Sequence, residues 1–144
     1  MSNAGMALGR AASGRPRRGQ GALGRLEHTL AMRVECTGIG LHTGKPVNLV
    51  LQPAAAGTGI LFVRRDLPDA RRFPARAEWV VDTQLATTLG NGPARLSTIE
   101  HLISALQAMG VDNCTVEVSG PELPIMDGSA APFVYLIEEA GLKP

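Results

Sequence analysis

Apolar residues recur at every second position in several short segments of this chain and at helical spacing in only two segments. The clearest alternation lies at residues 46–52, where Val47, Leu49 and Leu51 share one face, and it predicts a half-buried strand. Further strands are predicted at residues 29–36, 59–65 and 113–118, with weaker candidates at 76–81 and 86–89. A chain with this pattern must combine short strands and two helices in one layered fold.

The stronger helical segment follows a predicted turn at residues 90–93. Its apolar residues have the i, i+3, i+4, i+7 spacing of a buried stripe and are Ile99, Leu102, Ile103 and Leu106, extended by Met109. Ser97 and Glu100 have the spacing of a capping box, which predicts Ser97 as the N-cap. Gly110 is predicted to end the helix.

The opposite face of this helix carries His101 and three small residues, Ser104, Ala105 and Ala108. Small side chains allow another backbone to approach closely. This face is therefore predicted to contact a second partner rather than solvent.

The second helix is predicted to begin at Ser129 as its N-cap, with Pro132 in the first turn, and to end at Gly141. Its buried stripe comprises Phe133, Leu136, Ile137 and Ala140. The order of the elements predicts an α+β fold, a two-layer sandwich with a mixed sheet of about five strands and both helices on one face.

Charge and composition narrow the possible functions. The hydrophobic fraction of 44% can supply a core, whereas the aromatic fraction of 3% argues against stacking platforms for single-stranded nucleic acid. Residues 1–25 are glycine-rich and carry a charge of +5, so they are predicted to be a disordered basic arm, with residues 2–4 a remnant of an expression tag. Residues 26–144 carry −4 and are predicted to form the domain.

The chain lacks a run of about 18 apolar residues, and no apolar signal region follows its arginines. We therefore expect a soluble, unexported, cytoplasmic protein. Cys36 and Cys114 form no CxxC pair, and each lies in a predicted strand, which favours buried thiols over a disulfide.

Three short motifs could carry chemistry, and each has an ordinary structural interpretation. Glu100 and His101 could bind a metal, although a capping box explains the first and a solvated helix face is the usual place for the second. The glycine-rich segment 37–44 lacks the GxGxxG spacing and precedes a strand, so it is predicted to be a tight connection between strands rather than a phosphate loop. Residues 127–129, Asp-Gly-Ser, resemble a turn that feeds a helix cap.

Three segments taken together, in their order and spacing, are more specific than any motif alone. They are TGIGLHTGKPV at residues 37–47, LSTIEHLISAL at 96–106 and PELPIMDGSAAPFVYL at 121–136. They closely resemble UDP-3-O-acyl-N-acetylglucosamine deacetylase, the zinc hydrolase that commits Gram-negative bacteria to lipid A synthesis. The resemblance extends from about residue 26 to residue 144.

The resemblance implies an enzyme of two similar α+β domains packed helix layer against helix layer, with the active site between them. It assigns Glu100 as the general base that activates a zinc-bound water, and His101 as one zinc ligand. Asp127 would support a histidine of the second domain that protonates the leaving amine. Residues 83–87 would line the sugar site, with Leu85, Ala86 and Thr87 as substrate-binding residues, and the loop around His42 would lie near the site.

The resemblance also implies that this chain is the first domain of an enzyme about twice as long. The other zinc ligands and the general acid would lie in the second domain, so the 144-residue chain alone is expected to hold no stoichiometric Zn²⁺ and to be inactive.

Two alternative functions and one association remain open at this stage. The chain could be a stand-alone binding or scaffold module of the same fold, or the basic arm could bind nucleic acid, which the overall balance of charge disfavours. Without a second domain, the face around Ser104, Ala105 and Ala108 is predicted to mediate a homodimer.

Overall fold

The computed structural model describes residues 26–144, and the predicted basic arm and tag remnant lie outside the described residues. The strands of this range are β1 Thr29–Leu30, β2 Val34–Gly40, β3 Pro46–Pro53, β4 Ile60–Arg64, β5 Arg72–Pro74, β6 Val80–Asp82, β7 Thr88–Asn91, β8 Ala94–Ser97, β9 Cys114–Val118, β10 Pro124–Ile125 and β11 Leu142–Lys143. The α-helices are α1 Glu100–Ala108 and α2 Ala131–Ala140, and a 3-10 helix spans Ala77–Trp79. Within residues 26–144, neither helix has the length and apolar content needed to cross a bilayer.

The main sheet has six strands in the order β10-β2-β3-β9-β4-β5. Strands β4 and β9 are parallel, whereas the other neighbours are antiparallel. The predicted mixed sheet is therefore confirmed, with six strands rather than five. The connection between the parallel strands contains β5 to β8 and α1, so the predicted site residues at 85–87 and 100–101 belong to this crossover.

Two smaller sheets complete the described fold. Strands β6, β7 and β8 form an antiparallel sheet, and β8 leads directly into α1. Strands β1 and β11 pair antiparallel, which joins the two ends of the described range.

The core lies between the main sheet and the two helices. Alternate residues of β3, Val47, Leu49 and Leu51, are buried in the same cluster as Leu102 and Leu106 of α1 and Phe133 and Ile137 of α2. The period-two and helical patterns in the sequence thus meet in one core, which confirms the α+β sandwich. Burying side chains of this size contributes roughly 1.5–3 kcal/mol each before conformational entropy is subtracted.

The segment from residue 29 to residue 44 differs from the prediction. It forms two strands, β1 and β2, and β2 continues through Gly40, so the first half of the expected glycine-rich loop is strand. Both sides of β2 are paired, to β3 and to β10, and this pairing decides the conformation. Gly38 permits the close approach, since a Cβ there would lie 2.8 Å from the Pro124 Cβ.

The weaker strand predictions were only partly right. Residues 76–81 divide between the 3-10 helix and β6, and the strand expected at 86–89 begins at Thr88. Of the turn predicted at 90–93, Gly90 and Asn91 belong to β7. Strands β5, β8, β10 and β11 were missed because segments of two to four residues are too short to show a period.

The predicted capping box is wrong. Helix α1 begins at Glu100 with Ile99 as its N-cap, because Ser97 pairs with Thr88 across β7 and β8 and its hydroxyl accepts a hydrogen bond from the Thr88 hydroxyl at 3.1 Å. The N-cap of α2 is Ala130 rather than Ser129, although the Ser129 hydroxyl accepts the Ala131 N–H at 3.2 Å.

The helix ends agree with the sequence. Gly110 and Gly141 follow the last turns with φ of 78° and 73°, the left-handed region that favours glycine.

Both cysteines are free thiols, as predicted, but only Cys114 is buried, whereas Cys36 is half-buried. Cys36 of β2 pairs with Leu49 of β3, and Cys114 of β9 pairs with Pro53 of β3. The two cysteines thus flank β3 at positions four residues apart along it. That spacing is about 13 Å, well beyond the Cα separation of a disulfide. Burial raises the pKa of Cys114 to about 12, so this thiol stays protonated at neutral pH.

Candidate functional site

The candidate site begins where β8 passes into α1. The Thr87 carbonyl accepts the N–H groups of Thr98 and Ile99 at 3.0 and 3.5 Å. The Thr87 N–H donates in turn to Oε1 of Glu100 at 3.1 Å. Thr87, the residue that precedes β7, therefore contacts both the start of the helix and one carboxylate oxygen of the predicted base.

Glu100 is only partly buried, and Thr87 is its one hydrogen-bond partner within the described residues. The second oxygen, Oε2, has no partner in that range. Because Glu100 makes no capping-box contact, the structural explanation offered for it from sequence does not apply. Its free oxygen is available to a ligand or to water.

The turn into this helix is strained at Thr98. Its φ is 64°, a conformation that β-branched residues rarely adopt. The residue is 4% exposed, and Oγ1 is a buried oxygen without a hydrogen-bond partner among residues 26–144. Such features persist where surrounding contacts over-determine the backbone, and here the Thr87 carbonyl supplies one of those contacts.

His101 follows Glu100 in the first turn of α1 and is half-buried. No residue of the described range makes a hydrogen bond to the His101 ring. Ser104 and Ala108 are exposed on the same side of the helix, as predicted, but Ala105 is 1% exposed and belongs to the core. The exposed face is consequently narrower than the sequence indicated.

Asp127 lies in the turn between β10 and α2 and is exposed. Its Oδ1 accepts the Ser129 hydroxyl at 2.6 Å and the Ser129 N–H at 2.9 Å. The pKa of Asp127 is lowered chiefly by the Ser129 hydroxyl and then by the Ser129 N–H, and the nearby His101 acts in the same direction. Asp127 therefore lies near His101 in the structure.

The predicted substrate-binding residues precede β7. Leu85 is 87% exposed, whereas Ala86 and Thr87 are half-buried. A leucine so exposed gains nothing from burial within this domain. Thr87, through its backbone, belongs to the Glu100 arrangement as well.

Sequence reasoning missed Glu122, which is only 2% exposed. Its carboxylate accepts hydrogen bonds from the turn that holds His42 and Thr43. The only signal was an acidic residue between two prolines, Pro121 and Pro124, in an otherwise apolar segment. Nothing in that pattern indicates its partner, which lies 80 residues earlier.

The described residues do not by themselves complete a catalytic zinc site. No group of three or more His, Cys, Asp or Glu side chains converges within residues 26–144. A catalytic zinc ion takes three protein ligands, usually histidine or carboxylate. The ring of His101, without a hydrogen bond in this range, fits the role of one such ligand and no more.

A recess of about 390 Å³ lies elsewhere and is lined by residues that include Glu27, His28, Asn113 and Lys143. It contains none of the predicted site residues.

Comparison with known proteins bears on the whole described range. The family model of LpxC, UDP-3-O-acyl N-acetylglycosamine deacetylase, matches residues 27–144. Proteins named UDP-3-O-acyl-N-acetylglucosamine deacetylase are 58% identical in Anaeromyxobacter dehalogenans strain 2CP-C, 59% in Anaeromyxobacter sp. strain Fw109-5 and 55% in Myxococcus xanthus strain DK1622. Each match covers 81% of this chain but only 37% or 38% of the relative. The chain spans less than two-fifths of the length of these relatives.

Proposed function

We propose that this chain, which belongs to the UDP-3-O-acyl N-acetylglycosamine deacetylase family, is the first domain of a zinc-dependent amidohydrolase. The substrate would be UDP-3-O-acyl-N-acetylglucosamine, the compound in the names of its relatives. In this hydrolysis, water oxygen adds to the acetyl carbonyl carbon, the C–N bond breaks, acetate leaves and the sugar amine takes up a proton. The reaction would be a step of lipid A synthesis, and the enzyme would lie in the cytoplasm of Gram-negative bacteria.

The observation that carries the proposal is that only one oxygen of the Glu100 carboxylate is hydrogen-bonded within the described residues. Oε1 is fixed by the Thr87 N–H, which orients the group, and Oε2 has no partner within residues 26–144. A general base needs this combination of a fixed position and a free oxygen. Glu100 would accept a proton from the attacking water, and the histidine that Asp127 supports would supply the proton that the leaving amine takes up.

His101 would supply one ligand to the metal, and the remaining ligands would come from the rest of the enzyme. When bound, zinc supplies Lewis acidity that polarises a carbonyl and makes a water molecule more acidic. Because His101 adjoins Glu100 at the start of α1, the rigid helix fixes the ligand relative to the base. The position of both groups depends on the backbone of Thr98 and on its contact with Thr87.

Asp127 would act on a histidine outside this chain. Its carboxylate is exposed, and two hydrogen bonds from Ser129 hold one oxygen. The lowered pKa of Asp127 keeps it ionised at neutral pH, so it can orient an imidazole and stabilise its protonated form. Leu85, Ala86 and Thr87 would contact the sugar beside the Glu100 carboxylate.

The test is deacetylation by the full-length protein that contains this chain, with the 144-residue chain as the comparison. We expect acetate release from UDP-3-O-acyl-N-acetylglucosamine and about one zinc ion per full-length protein. The 144-residue chain should show neither activity nor stoichiometric zinc. If the full-length protein binds the nucleotide sugar but releases no acetate in the presence of zinc, the chain is part of a binding module instead.

A further inference from the structure

Glu122 is the most buried acidic side chain of the described residues, and it lies outside the arrangement of Glu100, His101 and Asp127. A carboxylate that is 2% exposed is costly unless hydrogen bonds replace its lost hydration. Among residues 26–144, its hydrogen-bond partners all come from one turn. The backbone N–H of His42 reaches both oxygens at 3.1 Å, the backbone N–H of Thr43 reaches Oε2 at 2.8 Å, and Nδ1 of His42 lies 3.3 Å from Oε1.

The chain is shaped to admit this carboxylate. A Cβ on Gly40 would lie 2.6 Å from Glu122 Oε2 and 2.6 Å from the Thr43 hydroxyl oxygen, so no larger residue fits there without displacement. The absence of a side chain at Gly40 and the buried charge at Glu122 thus form one feature, which we call the Glu122 clasp: Gly40, His42, Thr43 and Glu122.

The clasp joins the three sequence segments that define the candidate site. Glu122 and Ser97 form an isolated parallel β-bridge. The Ser97 N–H donates to the Pro121 carbonyl at 2.9 Å, and the Ser97 carbonyl accepts the Leu123 N–H at 3.0 Å. Ser97 is the last residue of β8, three residues before Glu100. Two residues beyond Glu122, β10 pairs with Gly40 and Ile39 and then leads to Asp127.

We propose that Glu122 is a positioning residue that fixes His42 in the Nδ1–H tautomer and leaves its Nε2 free to bind a polar group of the substrate. An ionised carboxylate can only accept hydrogen bonds, so the His42 Nδ1 facing Oε1 must carry the hydrogen. The other ring nitrogen then faces away from the carboxylate, and the His42 side chain is 47% exposed. Pairing with a carboxylate is a general way to fix the tautomer and orientation of a functional histidine.

The electrostatics of the clasp agree with this assignment. Burial alone raises the pKa of Glu122, but hydrogen bonds from the backbone of His42 and Thr43 and from their side chains outweigh it and hold the pKa below its ordinary value. The carboxylate is therefore ionised at neutral pH. The substrate contact of His42 rests on the proposed function, whereas the tautomer does not.

The tautomer is tested by correlating ring nitrogens with ring protons in the ¹⁵N-labelled full-length protein. We expect the His42 spectrum to report hydrogen on Nδ1 and an unprotonated Nε2 at a pH where the ring is neutral. A ring with hydrogen on Nε2 in the unaltered protein would overturn the proposal. This readout needs no variant and no activity.

The functional part is tested by a cycle of Glu122→Gln, His42→Ala and the double variant, with kcat/KM for deacetylation as readout. The amide that Glu122→Gln introduces has only one acceptor oxygen in place of two, so the His42 ring loses its orientation. We expect each single variant to lose about ten- to a hundredfold, and the double variant to lose no more than His42→Ala alone.

The matched control is Glu117→Gln. Glu117 lies on β9, and its carboxylate accepts hydrogen bonds from Arg65 and Gln52. This variant should leave kcat/KM within about twofold. Losses that multiply in the double variant would overturn the proposal, because Glu122 would then act on folding or on another group. If the unaltered protein shows no deacetylation, the proposed function fails and the tautomer decides whether Glu122 positions His42.

Discussion

Two acidic regions of this domain use their carboxylates in opposite ways. In the clasp, both oxygens of Glu122 accept hydrogen bonds from one turn, and the side chain is sealed from water. Among the described residues, Glu100 at the start of α1 accepts a single hydrogen bond, and the exposed Asp127 accepts hydrogen bonds from Ser129 at Oδ1.

The difference separates groups that organise the fold from groups that can react. A carboxylate whose oxygens are all occupied cannot take a proton from a substrate without breaking the contacts that hold it. A carboxylate fixed at one oxygen and free at the other can do so without rearrangement. Geometry alone therefore distinguishes the clasp from the candidate catalytic groups, although both consist of acidic residues beside a histidine.

The largest expected effect on zinc content comes from His101→Ala in the full-length protein. Loss of one of the three proposed protein ligands should lower zinc content well below one ion per protein and reduce turnover by at least about a hundredfold. The His42→Ala protein is the matched control and should keep its zinc. Equal metal content in His101→Ala and the unaltered protein would remove His101 from the ligand set and weaken the comparison.

Asp127→Ala should have a smaller effect and of a different kind. Since Asp127 is proposed to orient a histidine rather than to bind metal, zinc content should not change while turnover falls about ten- to a hundredfold. Asp69→Asn, an exposed aspartate paired with Arg71, is the control and should remain fully active. A loss of zinc in Asp127→Ala would show that this aspartate is a ligand.

The pH dependence of the free energy of unfolding tests the Glu122 clasp. The folded pKa of Glu122 is below its ordinary value of 4.5, so its ionised form stabilises the fold above about pH 4.5 and that contribution is lost as pH falls through the folded pKa. Glu122→Gln should lower the free energy of unfolding by about 1–3 kcal/mol at pH 7 and flatten its dependence on pH below 4.5. Urea unfolding at several pH values measures both.

The contrasting variant is Glu100→Gln, which keeps the oxygen that Thr87 contacts. It should change the free energy of unfolding by less than about 1 kcal/mol. Equal acid profiles in Glu122→Gln and the unaltered protein would mean that the clasp is not ionised, and the two regions would no longer differ.

The smallest expected effect concerns association of the 144-residue chain through the face around His101, Ser104 and Ala108. We predict weak homodimerisation there, which Ala108→Glu should abolish by placing a charge on the exposed face. Sedimentation equilibrium at several concentrations measures it, with Glu138→Gln on α2 as the control. Ala105→Glu is unsuitable because Ala105 is buried and its substitution would disturb the core.

The sequence predicted those parts of the structure that follow from repeating local patterns. The alternation in β3 and the stripe of α1 identified the core, because period two and period 3.6 place side chains on one face whatever the tertiary context. The same local reasoning failed at Ser97, where pairing with Thr88 in β7 overrode a good capping pattern. It also assigned Ala105 to the surface, although packing buries it.

Local motifs drew attention to Glu100, His101 and Asp127, but the roles predicted for them came from resemblance to a family rather than from local physics. What the sequence could not provide is the contact between Thr87 and Glu100, or between His42 and Glu122, since 13 and 80 residues separate the partners. A glycine within a strand indicates close approach of another group, but the sequence placed Gly40 in a connection between strands, and only the structure places it in β2. Which group approaches it depends on the tertiary fold.

The central claim is that Glu100 is a base held at one oxygen and free at the other, and Glu100→Gln in the full-length protein tests it most directly. Turnover and zinc content are measured on the same preparation, with Glu138→Gln as the matched change on an exposed helix position. We predict a loss of about 10²–10⁴ in kcat with zinc content unchanged, because the glutamine keeps the Thr87 contact but cannot accept a proton. Turnover near that of the unaltered protein would contradict the account.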